Sequence, residues 1–464
     1  MRKDLDNCSV KGLWLLVRQA AMSEATGKVN GGADLLARLC ERYPRIPRSI
    51  ILKTDLLTRG INYTDDLKAV GTDGISDTVR GFKFHHDVVS DAEAGSPVQL
   101  PWSFYFHDQT YVKLIIDLDS PYTIRVGGDG RFTLYGGEHP LEEVFFSRKA
   151  SWLGRTLSDS TPITAVLFEV GPCHATGIVP LDYCEYFRNG EQCRYCDWNP
   201  TFELAKAAGF RTNVAADTQQ LVEAFEIAFS GPDAAPCEHA HIIVAGALWN
   251  RTKEAEIYLR TLEALRATAA GRRAAFLLGT QVLEPADARR AKAMGFDWAT
   301  WNIEVWDPKL FDVICPGKAR TVGYQRWKDL LLQGVEIFGN GYLSTNFVIG
   351  PELAIPEGFT SEDEALASVV EGFEWCLQHG ILPFYQFWRC SPGSLFSDME
   401  LPMLPTEYYL RVSLEHHRLM EKYNFYQLTH PRKRASCHKC GIFYNSYDYP
   451  RLIDAVEGPR WFEW

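Results

Sequence analysis

Val179-Pro180-Leu181-Asp182-Tyr183-Cys184-Glu185-Tyr186-Phe187-Arg188-Asn189-Gly190-Glu191-Gln192-Cys193-Arg194-Tyr195-Cys196-Asp197-Trp198 is the stretch on which the reading of this 464-residue chain turns. It gathers three cysteines, Cys184, Cys193 and Cys196, into one short window. Thiolates are the ligands of iron–sulfur clusters, and clusters that only carry electrons are normally held by four of them. A local set of three holds a four-iron cluster by three irons and leaves the fourth open to a substrate or cofactor. The first gap is long, but Asn189-Gly190 within it is a strong turn pair, so the intervening loop has a place to bulge while both ends return to one cluster. A Cys-x-x-Cys ending is equally at home in a four-coordinate zinc site, and from this window alone a zinc knuckle stands as the other reading.

Around the window, short apolar runs alternate with longer amphipathic ones, the pattern of βα units on a parallel sheet. Strands are expected at 176–181, 241–247, 274–280, 297–304, 342–350 and 382–389, with helices at 218–229, 252–269, 285–294, 323–338 and 361–379. The cysteine loop then follows the first of six strands, at the C-terminal face where such folds carry their active sites. A zinc knuckle has no need of that context.

With its aromatic Tyr195 before the last cysteine, the loop resembles the signature of the radical S-adenosylmethionine (radical SAM) superfamily. The second gap of two residues matches; the first, eight residues here, is three in the usual signature. The strand ends that follow resemble those of biotin-synthase-like and hydrogenase-maturase-like members, in the same order. The resemblance spans roughly residues 170–400, about half the chain. It implies an α/β fold with a partial (β/α)6 barrel over 166–400; outside it, the residue pattern reads as an N-terminal α+β domain over 1–165 that resembles no identified domain, and a C-terminal extension over 401–464 made of a helix and a Cys-x-x-Cys pair.

The same resemblance implies a 4Fe-4S cluster on Cys184, Cys193 and Cys196, with S-adenosylmethionine (SAM) as second cofactor. Gly246 stands where the family brings backbone to the SAM amino group, without the usual acidic neighbour. Asn302 and Glu304 stand where the family binds the ribose or aminocarboxylate. Two apart on a strand, they would share one face; a surface loop is the alternative. After Cys315-Pro316-Gly317-Lys318, Arg320 or Arg326 is favoured over Lys318 for the SAM carboxylate, because a guanidinium pairs through two parallel hydrogen bonds; a solvated helix start explains these residues as well. Val348 and Ile349 match the element beside adenine, or are core. The activity implied is reductive cleavage of SAM to a 5′-deoxyadenosyl radical that takes hydrogen from a small or medium-sized metabolite, with electrons from a donor such as flavodoxin or ferredoxin. A radical enzyme acting on a peptide and a non-enzymatic zinc-dependent binding module are the rival readings.

A formal charge of −11 offers no electrostatic basis for wrapping a phosphate backbone, so nucleic acid is not expected as a partner, Arg432-Lys433-Arg434 being the one local basic patch considered. No apolar stretch reaches the roughly 20 residues of a membrane span, and two aspartates interrupt the start where a secretory signal becomes apolar. Twelve cysteines scattered through 464 residues suit a reducing compartment; the cytoplasm is the expected location. In the first third, apolar alternation over 103–135 broken by Asp119-Ser120-Pro121 and Gly127-Gly128-Asp129-Gly130 predicts antiparallel hairpins. His85-His86 and Cys173-His174 are read as structural or solvated. Cys437 and Cys440 lack a nearby second pair, and are expected to serve structure or cavity closure instead of a second four-iron cluster.

Overall fold

Two sheets organise the chain. In a computed structural model, which describes residues 32–62, 64–72, 100–147, 150–170, 175–207, 215–230, 241–428, 445 and 448–453, the larger sheet has seven strands and the smaller five. His85-His86, Cys173-His174, Arg432-Lys433-Arg434, Cys437, Cys440 and residues 460–464 lie outside the described residues.

The smaller sheet is antiparallel, in the order β2-β1-β5-β4-β3, built from β1 (Ser103–Phe106), β2 (Tyr111–Lys113), β3 (Tyr122–Val126), β4 (Phe132–Gly136) and β5 (His139–Phe145). The expected turn cluster at 127–130 joins β3 to β4, with Val126 opposite Phe132. The helices Gly32–Arg42 and Arg48–Arg59 cover this sheet, burying Leu36, Ile50, Leu56, Phe104, Tyr122 and Ile124 together. Leu410 and Tyr449 from the far end of the chain join the same core. Buried Lys53 pairs with Asp448 at 2.7 Å, and Asp55 accepts hydrogen bonds from Tyr122 and from Thr406. The C-terminal helix Thr406–Lys422 is thereby bound to the N-terminal sheet, and its His416 also reaches the carbonyl of Pro383 at 2.9 Å.

The larger sheet contains β6 (Leu167–Val170), β7 (Ala175–Leu181), β8 (His241–Ala245), β9 (Phe276–Thr280), β10 (Trp298–Trp301), β11 (Leu343–Ile349) and β12 (Ile381–Phe387) in strict chain order. From β7 to β12 every pairing is parallel; β6 adds to the outer edge of β7 in the antiparallel sense. Strands such as β9 and β11 are buried almost throughout, as the strands of parallel sheets usually are. The connecting helices begin and end on local signals. Asn250 and Ser361 cap Arg251–Ala267 and Glu362–Gln378 by accepting from Lys253 and Glu364, and Gly295 in the left-handed region stops Pro285–Met294. Among the described residues no helix is long and apolar enough to cross a membrane.

Candidate active site

The cysteine loop leaves β7 at Leu181 and is tied down along its whole length. The long first gap coils into a short 3-10 helix, Glu185–Asn189, which Gly190 ends in the left-handed conformation; the Asn189-Gly190 bulge is therefore in place. Asn199 clamps Cys184 from both sides, accepting from its N–H at 2.9 Å and donating to its carbonyl at 3.0 Å. Arg194 donates its N–H to the carbonyl of Ile314, Gly317 donates to the carbonyl of Glu191, both at 2.8 Å, and Cys196 closes a turn onto Cys193. Gly317 is required there, since a Cβ would stand 2.6 Å from both the Glu191 carbonyl and the Tyr186 ring.

Cys184, Cys193 and Cys196 are all reduced and partly buried. Burial pushes the Cys184 thiol up to about 12 and that of Cys196 well above its ordinary value. Cys193 moves the other way: a hydrogen bond from Cys315 is the largest cause, and the charge of Lys318 and the hydroxyl of Tyr195 act in the same direction. Among the described residues no group of three or more His, Cys, Asp or Glu side chains is gathered to hold a single metal ion.

Beyond β10 the chain departs from the strand on which the pairing of Asn302 with Glu304 was argued. The strand stops at Trp301, and Glu304 takes a positive φ of 70°, an uncommon conformation for a residue with a side chain. The two residues still meet, through a third: buried Lys318 donates to the carbonyl of Asn302 at 2.8 Å and to Oε1 of Glu304 at 2.6 Å. The helix Pro316–Thr321 turns Gly317 and Lys318 inward. Arg320 points outward, over Trp249 and onto Glu191, and Arg326 is 43% exposed and paired with Glu284. The basic group that this structure places beside Glu304 is thus the lysine.

Gly246 has a use that the sequence reading did not contain. A Cβ on it would stand 1.4 Å from the carbonyl oxygen of Tyr183, so the cysteine loop occupies the space that a side chain would take. Val348 borders a cleft, together with Tyr195 and Cys196, whereas Ile349 is 1% exposed in the core. That cleft holds about 760 Å³ not filled by protein and opens to solvent. Its walls come from the cysteine loop, from the ends of β11 and β12, and from Leu57 and Ile115 of the N-terminal region. Behind the loop, buried Glu254 accepts from Leu248, Thr280 and Gln281, and Gln281 in turn accepts from Tyr186. Cys315, Glu254, Asp197 and Arg389 escaped the sequence reading as site residues, and Lys318 stood there only behind Arg320 and Arg326; only the Cys-Pro-Gly-Lys run carried a local signal.

No protein-family model matches the chain. Over 296 residues it is 26% identical to the bacteriochlorophyllide c C-7(1)-hydroxylase of Chlorobaculum limnaeum, covering 59% of this chain and 67% of that protein. The chain is thus similar to radical SAM enzymes. The cofactors of this class are a 4Fe-4S cluster and SAM. Among solved structures, the FeFe-hydrogenase maturase HydG from Carboxydothermus hydrogenoformans aligns with a TM-score of 0.37 at 14% identity over 53% of this chain, and coproporphyrinogen III oxidase (HemN) from Escherichia coli, titled a radical SAM enzyme, with 0.33 at 13% over 53%. The chain spans about half the length of each of these two structures. The donor set of the cysteine loop fits a cluster: three soft thiols on a clamped backbone, with a buried ammonium beside one of them.

Proposed function

We propose that this chain is a radical SAM enzyme that holds its cluster on Cys184, Cys193 and Cys196 and removes hydrogen from a small or medium-sized metabolite seated in the cleft. The observation that carries this reading is the meeting of Cys196 and Tyr195 with the ends of β11 and β12 on one open cleft. The fold is read as a partial (β/α)6 barrel of β7 to β12, with the described part of an N-terminal domain, 1–165, bordering the cleft through Leu57 and Ile115, and the helix Thr406–Lys422 of a C-terminal extension, 401–464, against both.

When bound, the reduced cluster supplies the electron that cleaves SAM to methionine and a 5′-deoxyadenosyl radical. The chain's own residues bind, orient and exclude water. Asn302 and Glu304 are assigned to the polar part of SAM, with Lys318 fixing both and balancing the glutamate charge. Val348 supplies apolar surface for adenine. Gly246 lets the cysteine loop lie against β8, and Tyr195 orients Cys193. Trp198, Phe387 and Trp388 line the chamber and keep water from a reactive species. A protein donor such as flavodoxin or ferredoxin is assigned as the source of electrons. The name of the 26% identical relative refers to a pigment metabolite, which supports a metabolite over a peptide; the reaction outcome is not carried across.

The test is anaerobic reconstitution with iron and sulfide, then incubation with SAM and a reductant. Iron and sulfide near four per chain and 5′-deoxyadenosine are expected, and alanine at any one of the three cysteines should abolish the product. A triple-alanine protein that keeps full iron and sulfide and still forms 5′-deoxyadenosine would refute the assignment. Zinc without sulfide would establish the binding-module reading.

A further inference from the structure

We propose that the thiol of Cys315 donates a hydrogen bond to the iron-bound sulfur of Cys193 and so raises the reduction potential of the cluster. The proposal rests on the reading of Cys184, Cys193 and Cys196 as the cluster ligands. It makes Cys315 a positioning residue that touches a ligand and is not one itself.

Two backbone hydrogen bonds set these cysteines face to face. Gly317 donates to the carbonyl of Glu191, and Arg194 donates to the carbonyl of Ile314, both at 2.8 Å. From the first bond to the second the cysteine loop runs forward from 191 to 194 while the facing segment runs back from 317 to 314. Segments paired in this antiparallel sense bring the residues between their bonds directly opposite each other. Cys193 and Cys315 are that opposed pair, and their side chains meet in a hydrogen bond.

The backbone on the far side of this contact is fixed as firmly as the loop. The N–H of Cys315 donates to the carbonyl of Phe311 at 2.8 Å, its own carbonyl accepts from Ala319 at 3.0 Å, and Pro316 opens the helix Pro316–Thr321 directly after it. Cys315 is fully buried, so water does not compete for its proton. Glycine at 317 allows the close approach, because a Cβ there would stand 2.6 Å from the Glu191 carbonyl oxygen.

A thiolate bound to iron carries no proton, so a hydrogen bond between the two sulfurs has to be donated by Cys315. Hydrogen bonds to the sulfurs are among the factors that set the potential of an iron–sulfur cluster. The reduced cluster carries one more negative charge than the oxidised one, and a donor at a ligand sulfur stabilises the more negative state more. The potential therefore rises, and the electron that the cluster must accept enters more easily. The hydroxyl of Tyr195 and the charge of Lys318 act on the same sulfur, but Tyr195 belongs to the cleft lining and the Lys318 ammonium donates to Asn302 and Glu304. Cys315 reaches the sulfur from the core.

The experiment is a mediated redox titration of the anaerobically reconstituted full chain, without SAM, followed by visible absorbance and by electron paramagnetic resonance of the reduced cluster. Cys315→Ala and Cys315→Val remove the donor, the second with little loss of volume, and Cys315→Ser replaces S–H by O–H. At the wild-type midpoint the alanine and valine variants should hold about tenfold less reduced relative to oxidised cluster, the lower end of what a hydrogen bond to a charged group is worth, since a thiol is a weak donor. For one electron that is a downward shift of about 59 mV. The serine variant should stay at or above the wild-type potential, and all three should keep full iron and sulfide. An unchanged or raised potential in alanine and valine, a serine variant that falls as far as they do, or loss of the cluster from any of the three would each overturn the proposal. Iron and sulfide measured on the same samples separate its failure from that of the site: a wild type that takes up no cluster, or a cluster unaffected by Cys193→Ala, refutes the three-cysteine site and the hydrogen bond with it, whereas an intact cluster of unchanged potential refutes the hydrogen bond alone.

Discussion

Replacing Gly246 with alanine tests whether the backbone contact between β8 and the cysteine loop is what shapes the cluster site. The new Cβ would lie 1.4 Å from the Tyr183 carbonyl oxygen, 2.1 Å from its carbon and 2.9 Å from the nitrogen of Cys184, where real contacts essentially never fall below 3.0 Å. The carbonyl must therefore retreat by about 1.6 Å. Nothing nearby yields cheaply, because the obstacle is backbone held on both sides: Gly246 donates to Leu181 at 2.6 Å and Glu185 donates to Ala247 at 2.8 Å. Overpacking of this kind costs roughly 1 to 3 kcal/mol, and each of the two hydrogen bonds is worth about 1 kcal/mol if it breaks. The loop relieves the clash by lifting off β8, which limits the loss of global stability to about 3 kcal/mol. Cluster binding has no such escape, since metal–ligand distances tolerate only about 0.2 Å and Cys184 moves with Tyr183. The expectation is a folded protein that, after anaerobic reconstitution, holds less than half the iron and sulfide of the wild type. Gly128→Ala, where a Cβ meets nothing within 4 Å, should load normally. Full iron and sulfide in Gly246→Ala, with an unchanged melting curve, would refute the reasoning.

Glu304→Gln should weaken SAM binding about ten- to a hundred-fold and leave iron content intact, as measured by equilibrium dialysis of labelled SAM; unchanged affinity in it and in Asn302→Ala would remove both from the site. Lys318→Met leaves the Glu304 carboxylate buried and unpaired, so denaturant melts should show a loss of about 3 to 5 kcal/mol, with much of it recovered in a Lys318→Met, Glu304→Leu double variant. Lys53→Met should destabilise the fold by breaking the buried pair with Asp448, and limited proteolysis should then cut the segment around 448–453 first. Burial raises the Glu352 carboxyl to about 7, so the native state keeps a proton that the unfolded chain has released. Its contribution to stability is present at low pH and is lost as pH rises from about 4.5 through about 7. Burial lowers His416 and His417 to about 4, which acts in the opposite sense, their contribution being present above about 6.5 and lost as pH falls towards 4. The gap between Glu352→Gln and wild type isolates the glutamate: the variant should gain on the wild type by on the order of 3 kcal/mol between pH 4.5 and 7.5, and parallel pH profiles would show that Glu352 does not titrate in this range.

Apolar periodicity was enough to locate the helices and strands around the site, because the physical demand behind it is local. A helix at 285–294 is read from its apolar spacing and is found at Pro285–Met294; a strand at 342–350 is found at Leu343–Ile349. What escaped is what depends on a single backbone torsion or on the meeting of distant segments. The end of β10 was placed three residues late because side-chain pattern carries no mark of the positive φ at Glu304. The preference for arginine over Lys318 followed from the chemistry of the fork; it failed to anticipate that a six-residue helix would turn Lys318 inward and Arg320 outward. Cys315 reaches Cys193 across a gap of more than a hundred residues, and no spacing rule connects them. The same holds for the cleft, where Leu57, Ile115 and Arg389 converge from three parts of the chain. In each case the missing information is tertiary, and in each case a backbone contact with no room for a side chain, at Gly246, Gly317 or Gly60, marks where the distant segments meet. Those three glycines are therefore where the geometry of the site is most exposed to mutation, more so than the exposed arginines that the sequence brought forward.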